Sequence, residues 1–109
     1  MASAQETKRR LIEFLDRKAF DPILKARPDD YPEGKRAELK HVQDATCSER
    51  ERFHSYETAE KVVQMFHDDL SSSAAEKVHR QLRDLGLPTI SEVRNEFDRL
   101  AGELGVGRR

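Results

Sequence analysis

Apolar residues in this chain recur at steps of three and four almost from end to end. Leu11, Ile12, Phe14, Leu15 and Ala19 make one broad face. Ala37, Leu39, Val42 and Ala45 make a narrow one, and Ala59, Val62, Val63, Phe66 and Leu70 a third. Ala75, Val78, Leu82 and Leu85 form a fourth, and Ile90, Val93, Phe97, Leu100 and Leu104 a fifth. Such spacing returns side chains to one side of a helix. No stripe would hold its helix alone in water, because short helices draw their stability from packing. Five partial stripes can be buried together only in a bundle. The expected fold is therefore all-α: a compact bundle of about five short helices, in a single domain over residues 1–109.

The breaks fall between the stripes. Ser3 and Glu6 have the spacing of a capping box, so the first helix is expected to start near Ser3 or Ala4. Arg17 and Lys18 fit its last turn, where cations meet the negative end of the helix dipole. Asp21-Pro22 reads as a restart, with Asp21 as cap and Pro22 in the first helical position, anchored by Phe20, Ile23 and Leu24. Residues 27–32 form the clearest loop, because Pro28 and Pro32 push the residues before them out of helical geometry. A second helix opens at Pro32 and runs through Ala45. It either breaks near Thr46-Cys47-Ser48, where Ser48 and Glu51 make another capping pair, or continues unbroken to about Phe53. A third helix is expected from about Glu57 to His67. Ser73 with Glu76 marks the start of a fourth, and Gly86 its end, as a residue free to take positive φ. Thr89 with Glu92 caps a fifth. Residues 1–3 and 105–109 are expected to fray.

Charged residues make up 38% of the chain, yet the net charge is only −1. No strongly basic face emerges, which disfavours nucleic acid as a partner. No apolar run approaches the roughly 20 residues of a membrane helix. Met1 to Thr7 lack the apolar centre of a signal peptide. The single cysteine, Cys47, leaves no intrachain disulfide and fits a reducing compartment. Together these features lead to the expectation of a soluble cytoplasmic protein.

Four constellations bear on chemistry. The string Met65-Phe66-His67-Asp68-Asp69-Leu70 locally resembles the signature of the HD phosphohydrolases, a helical metal-dependent family. The resemblance rests on the adjacent pair His67-Asp68 and implies metal-activated water beside a phosphate ester. It further implies His41 or His54 as an upstream ligand and Asp84 or Asp98 as a downstream one. The Gly that usually follows the pair is absent, and Asp69-Leu70-Ser71 stands there instead. The four histidines, at 41, 54, 67 and 79, are spaced by 13, 13 and 12 residues and never share a helix face as an i, i+4 pair. Cys47 would gain thiolate character only if a helix began at Ser48. Residues 73–101 have the outline of a helix-turn-helix, with Ser91, Glu92, Arg94 and Asn95 at the start of the second helix. Glu92, Glu96, Asp98 and Glu103 outweigh Arg94 and Arg99 there, so phosphates would be repelled.

No constellation dominates, and the core is thin for the chain length. The leading expectation is a non-enzymatic module for protein–protein interaction or self-association, with no cofactor and no metal. Interface hot spots favour aromatics and Arg. Tyr31, Arg52, Phe53 and Tyr56 are the candidate partner-binding residues.

Overall fold

A computed structural model describes residues 3–106. Ser3 opens the first helix, α1 (Ala4–Leu15), by accepting the Glu6 N–H on its side-chain oxygen at 3.1 Å. Arg9 lies along its exposed face between Glu6 and Glu13, at 2.6 and 2.7 Å. The helix does not stop and restart as expected. It widens into a π turn over Asp16–Phe20 and runs on as α2 (Asp21–Leu24). The Asp21 N–H donates to the Asp16 carbonyl, five residues back. Pro22 explains the widening. Its ring would crowd the carbonyl four residues earlier in a regular helix, and the wider turn relieves that crowding. Asp21 is thus the first residue of α2 rather than its cap.

Two single-turn 3-10 segments, Pro28–Asp30 and Glu33–Lys35, lead to α3 (Arg36–Ser55). At 20 residues it is one unbroken helix, and Ser48 is simply an exposed position on it. The helix begins at Arg36, because Pro32 and the 3-10 turn after it occupy the expected start. Gln43 on α3 donates from its amide to the Ile23 and Ala26 carbonyls, at 3.0 and 2.8 Å. These bonds tie α3 to the chain at the end of α2, where helix-end carbonyls need partners.

α4 (Ala59–Leu70) starts later than expected, at a cap formed by Thr58, whose hydroxyl accepts the Lys61 N–H. α5 (Ser73–Asp84) is capped by Ser72, which accepts from the Ala75 N–H, one residue before the expected Ser73. The Ser71 and Ser72 N–H groups close off α4 on the Asp68 and Asp69 carbonyls, so the chain first turns free at Ser72. Gly86 ends α5 with φ of 73°, as expected. The Leu87 N–H donates back to the Leu82 carbonyl and the Gly86 N–H to that of Arg83, which is a Schellman closure.

The last helix, α6 (Arg94–Glu103), begins five residues after Thr89. Thr89 does accept the Glu92 N–H, but the backbone at 90–93 forms tight three-residue turns. The first four-residue bond runs from the Phe97 N–H to the Val93 carbonyl. A second Schellman closure ends α6, with Gly105 at φ of 76° and the Val106 N–H on the Ala101 carbonyl. Fraying was expected at Ser3 and from residue 105. Ser3 instead forms a cap, and Val106 is buried. Residues 1–2 and 107–109 lie outside the described part.

The interior divides into two clusters. One gathers Leu11, Leu15 and Phe20 with Phe53, Val62, Phe66 and Phe97. Phe66 and Phe97 stack there at 4.0 Å between centroids. The other holds Ile23, Leu39, Val42, Leu82 and Leu85. α1 packs on α4 and α6, α2 on α3, and α3 on α5. The architecture is the all-α bundle, with five longer helices among the described residues, although α3 is not short. No helix among the described residues is long and apolar enough to cross a membrane.

Gly86→Ala should lower the unfolding free energy by about 1–2 kcal/mol, because any side chain at positive φ is strained. Nothing lies within 4 Å of a Cβ added at Gly86 or at Gly34, so crowding plays no part at either site. Gly34→Ala, at ordinary φ, should be neutral or stabilise by up to about 1 kcal/mol. Urea unfolding of both variants checks the contrast.

Candidate functional site

Between α3 and α5 the chain leaves a groove with a volume of about 540 Å³. That falls within the range of about 300–1,000 Å³ typical of ligand sites. Its sides include the small residues Ala45, Ala74 and Ala75, and Phe20, Ile23 and Ile90 also line it. The small side chains are why it is open.

Polar side chains from three helices converge on this groove. Thr46, Glu49 and Arg52 come from α3, Asp69 from α4 and His79 from α5. Thr46, Asp69 and His79 are buried, His79 to 7% exposure. The Arg52 guanidinium donates to Asp69 at 2.8 Å and stands 3.8 Å from Glu49. Glu49 and Asp69 thus bring two carboxyl groups to one guanidinium. Burial first, then the neighbouring Asp69 carboxyl, push the Glu49 carboxyl up to about 8, against the opposing pull of Arg52. Burial also lowers the His79 imidazole from its ordinary value, helped by Arg83 and opposed by Asp69 and Glu76. At neutral pH the cluster is therefore a neutral Glu49, a neutral His79 and an Asp69–Arg52 ion pair. Thr46 and His79 also line the groove.

A larger groove, of about 780 Å³, runs along α1 and reaches Asp16 and His54. Several of its charged groups pair with one another. Arg9 bridges Glu6 and Glu13, while Arg50 and His54 hold Asp16 at 3.1 and 2.9 Å.

The four sequence candidates do not form one surface. Phe53 has no exposed area and sits inside the first cluster. Tyr56 meets it edge-on at 5.4 Å, and the Tyr56 hydroxyl is buried without a partner. Arg52 lies at the groove, on Asp69. Tyr31 is remote from these three, donating its hydroxyl to the Leu85 carbonyl at 2.9 Å and tying the 27–32 loop to the end of α5.

The remaining constellations separate as follows. His67 is bonded to Asp98 at 2.8 Å, while Asp68 is exposed. No group of three or more His, Cys, Asp or Glu residues among those described could hold a metal ion. Cys47 is exposed in the middle of α3, so no helix start activates it. Arg94, at the start of the second helix of the helix-turn-helix outline, lies 3.6 Å from Asp98.

Glu49, Asp69, His79 and Thr46 went unnoticed in the sequence, although a signal was present. The α3 stripe Leu39, Val42 continues at helical steps through Thr46 and Glu49 to Phe53. Asp69 follows Val62 and Phe66 on the inward face of α4, and His79 lies between Ala75 and Leu82 on α5. Each helix carries a polar residue where its stripe calls for an apolar one.

No family model matches the chain, and neither curated proteins nor solved structures give a match.

The shifted groups leave a mark on stability. A carboxyl held above its unfolded value binds a proton in the folded state that the unfolded chain has released. Its contribution therefore falls as pH rises from about 4.5 to about 8. His79 acts oppositely, since the unfolded chain binds the extra proton, and its contribution rises with pH up to its ordinary value of 6.5. Between pH 7 and 8 Glu49 dominates. The wild type should lose stability there, by at most about 1.4 kcal/mol per pH unit. Glu49→Gln should be flat over the same interval in urea unfolding.

Proposed function

We propose that this protein is a non-enzymatic helical binding module, and that the groove between α3 and α5 receives an amphipathic segment of a partner protein. The observation that carries this is the convergence of Thr46, Glu49, Asp69 and His79 on one groove. Taking polar side chains out of water is costly, and an apolar side chain at each stripe position would close the interior. Concave sites with apolar walls and a few convergent polar groups are the usual form of a binding pocket. A groove bounded by two helices suits a third helix laid into it. The exposed lone thiol of Cys47 fits a reducing compartment, so the cytoplasm is the proposed location.

Display of random peptides of about fifteen residues, roughly four helical turns, tests the reading. The immobilised protein should enrich sequences with apolar residues at helical spacing. Ala75→Trp, which fills the groove, should abolish the enrichment while the melting temperature stays close to wild type; Ala74→Trp serves if Ala75→Trp does not fold. Peptides that bind a folded, filled-groove variant as well as the wild type, or no enrichment at all, would overturn the reading. Enrichment of sequences from the protein itself, with dimers in sedimentation velocity, would replace a partner protein by a second copy.

A further inference from the structure

Two carboxyls meet one cation in the groove. Glu49 Oε2 and Asp69 Oδ2 lie 3.8 and 2.8 Å from the same Arg52 nitrogen, Nη2. The Glu49 side chain is 22% exposed and that of Asp69 12%, so little water reaches either. One guanidinium neutralises one carboxylate, and the shorter contact gives it to Asp69. If Glu49 ionises as well, the cluster carries a net negative charge away from bulk water, which is costly. Two carboxyls so placed keep a proton on one of them into a higher pH range. That carboxyl is Glu49, which titrates at about 8.

We propose that Glu49 is a proton gate on the groove: a partner segment docks while Glu49 is protonated and is turned away once Glu49 ionises. The inference rests on the groove being the binding surface. The apolar face of an amphipathic segment, laid over the groove, removes the water that remains on Glu49. A neutral carboxyl loses little by this. A carboxylate loses its hydration and gains no counter-charge, because Arg52 is held by Asp69. Docking and ionisation therefore compete. The charged and titratable groups around Glu49 are Arg52 from α3, Asp69 from α4 and His79 from α5, with Glu76 and Arg83 acting on His79 along α5. The π turn, α2 and the turns before α6 bring the apolar Phe20, Ile23 and Ile90. His79, lowered from its ordinary value by burial, adds no change of charge above pH 7.

The probe is an acetylated, amidated helical peptide enriched on the groove, free of His and Cys so that it does not itself titrate in the interval studied. Its affinity, read by fluorescence anisotropy, should be about tenfold weaker at pH 9 than at pH 7, as competition with a carboxyl titrating at about 8 requires. Glu49→Gln cannot ionise. Whatever its affinity at pH 7, it should show the same affinity at pH 9. Asp69→Asn, which removes the neighbouring charge, should move the fall to lower pH, and it serves if Glu49→Gln does not fold. The free protein gives a reading that needs no peptide: the side-chain carboxyl 13C signal of Glu49 should titrate near pH 8 in NMR.

An affinity that is unchanged or higher at pH 9, a fall that persists in Glu49→Gln, or a Glu49 carboxyl that titrates near its ordinary 4.5 would each overturn the gate. The two readings fail separately. Binding that is indifferent to pH yet abolished by Ala75→Trp removes the gate and leaves the docking groove standing. Peptides indifferent to Ala75→Trp, or no enrichment, remove the groove and the gate with it.

Discussion

Asp16 is the joint on which the arrangement of the two clusters depends. It opens the π turn, and its carboxylate is held from α3 by Arg50 and His54. The π turn changes the helical register just before Pro22. It sends Phe20 onto Phe53 in one cluster, with ring centroids 5.9 Å apart, and Ile23 beside Leu39 and Val42 in the other. A regular helix through residues 16–20 would rotate everything after it relative to α1. The single-turn α2 is too short to stand alone. Its position is fixed by that clamp on one side and by Gln43 bonding its terminal carbonyls on the other.

The long helix α3 belongs to both clusters. Leu39 and Val42 serve one, and Phe53 the other. The inward positions between them, Thr46 and Glu49, belong to neither, and the groove opens there. The groove is thus a consequence of how the core is divided rather than an isolated indentation. Its polar residues occupy the one part of α3 where neither cluster demands apolar contact. This also separates the two kinds of ionic contact in the molecule. Arg9 with Glu6 and Glu13, or Lys40 with Asp44, are exposed pairs within one helix and add a few tenths of a kilocalorie each. Arg52 with Asp69 joins two helices at a buried carboxylate, so removing either partner strands a charge.

What the sequence made legible follows the strength of each signal. Broad stripes and end signals were readable. The five longer helices, the Ser3 cap and the Gly86 closure are all present. Starts marked only by a Ser or Thr with a Glu three residues on were less secure. At Thr89 the side-chain bond forms without a helix, at Ser48 the pattern sits inside one, and at Ser72 the cap lacks a Glu three residues on. A capping pair records a local hydrogen-bond opportunity; tertiary packing decides whether a helix uses it. The π turn was hidden because Asp21-Pro22 is equally compatible with a fresh start, and only the buried positions of Phe20 and Ile23 distinguish the two.

The groove was hidden for a different reason. Searching for motifs treats polar residues as chemistry when they cluster along the chain, and here they lie ten or more residues apart on three helices. Glu49, Asp69 and His79 become one site only when α3, α4 and α5 are brought together. Each carried the same local trace, a polar side chain at a position its helix turns inward. The candidates drawn from residue type, by contrast, favoured aromatics. Phe53 and Tyr56 then proved to be engaged in packing, while Arg52 owes its place at the groove to its partner Asp69. Inward-facing polar residues on otherwise apolar stripes are informative because folding alone selects against them. Three of them meeting at one place is a stronger indication of a site than any short motif in this chain.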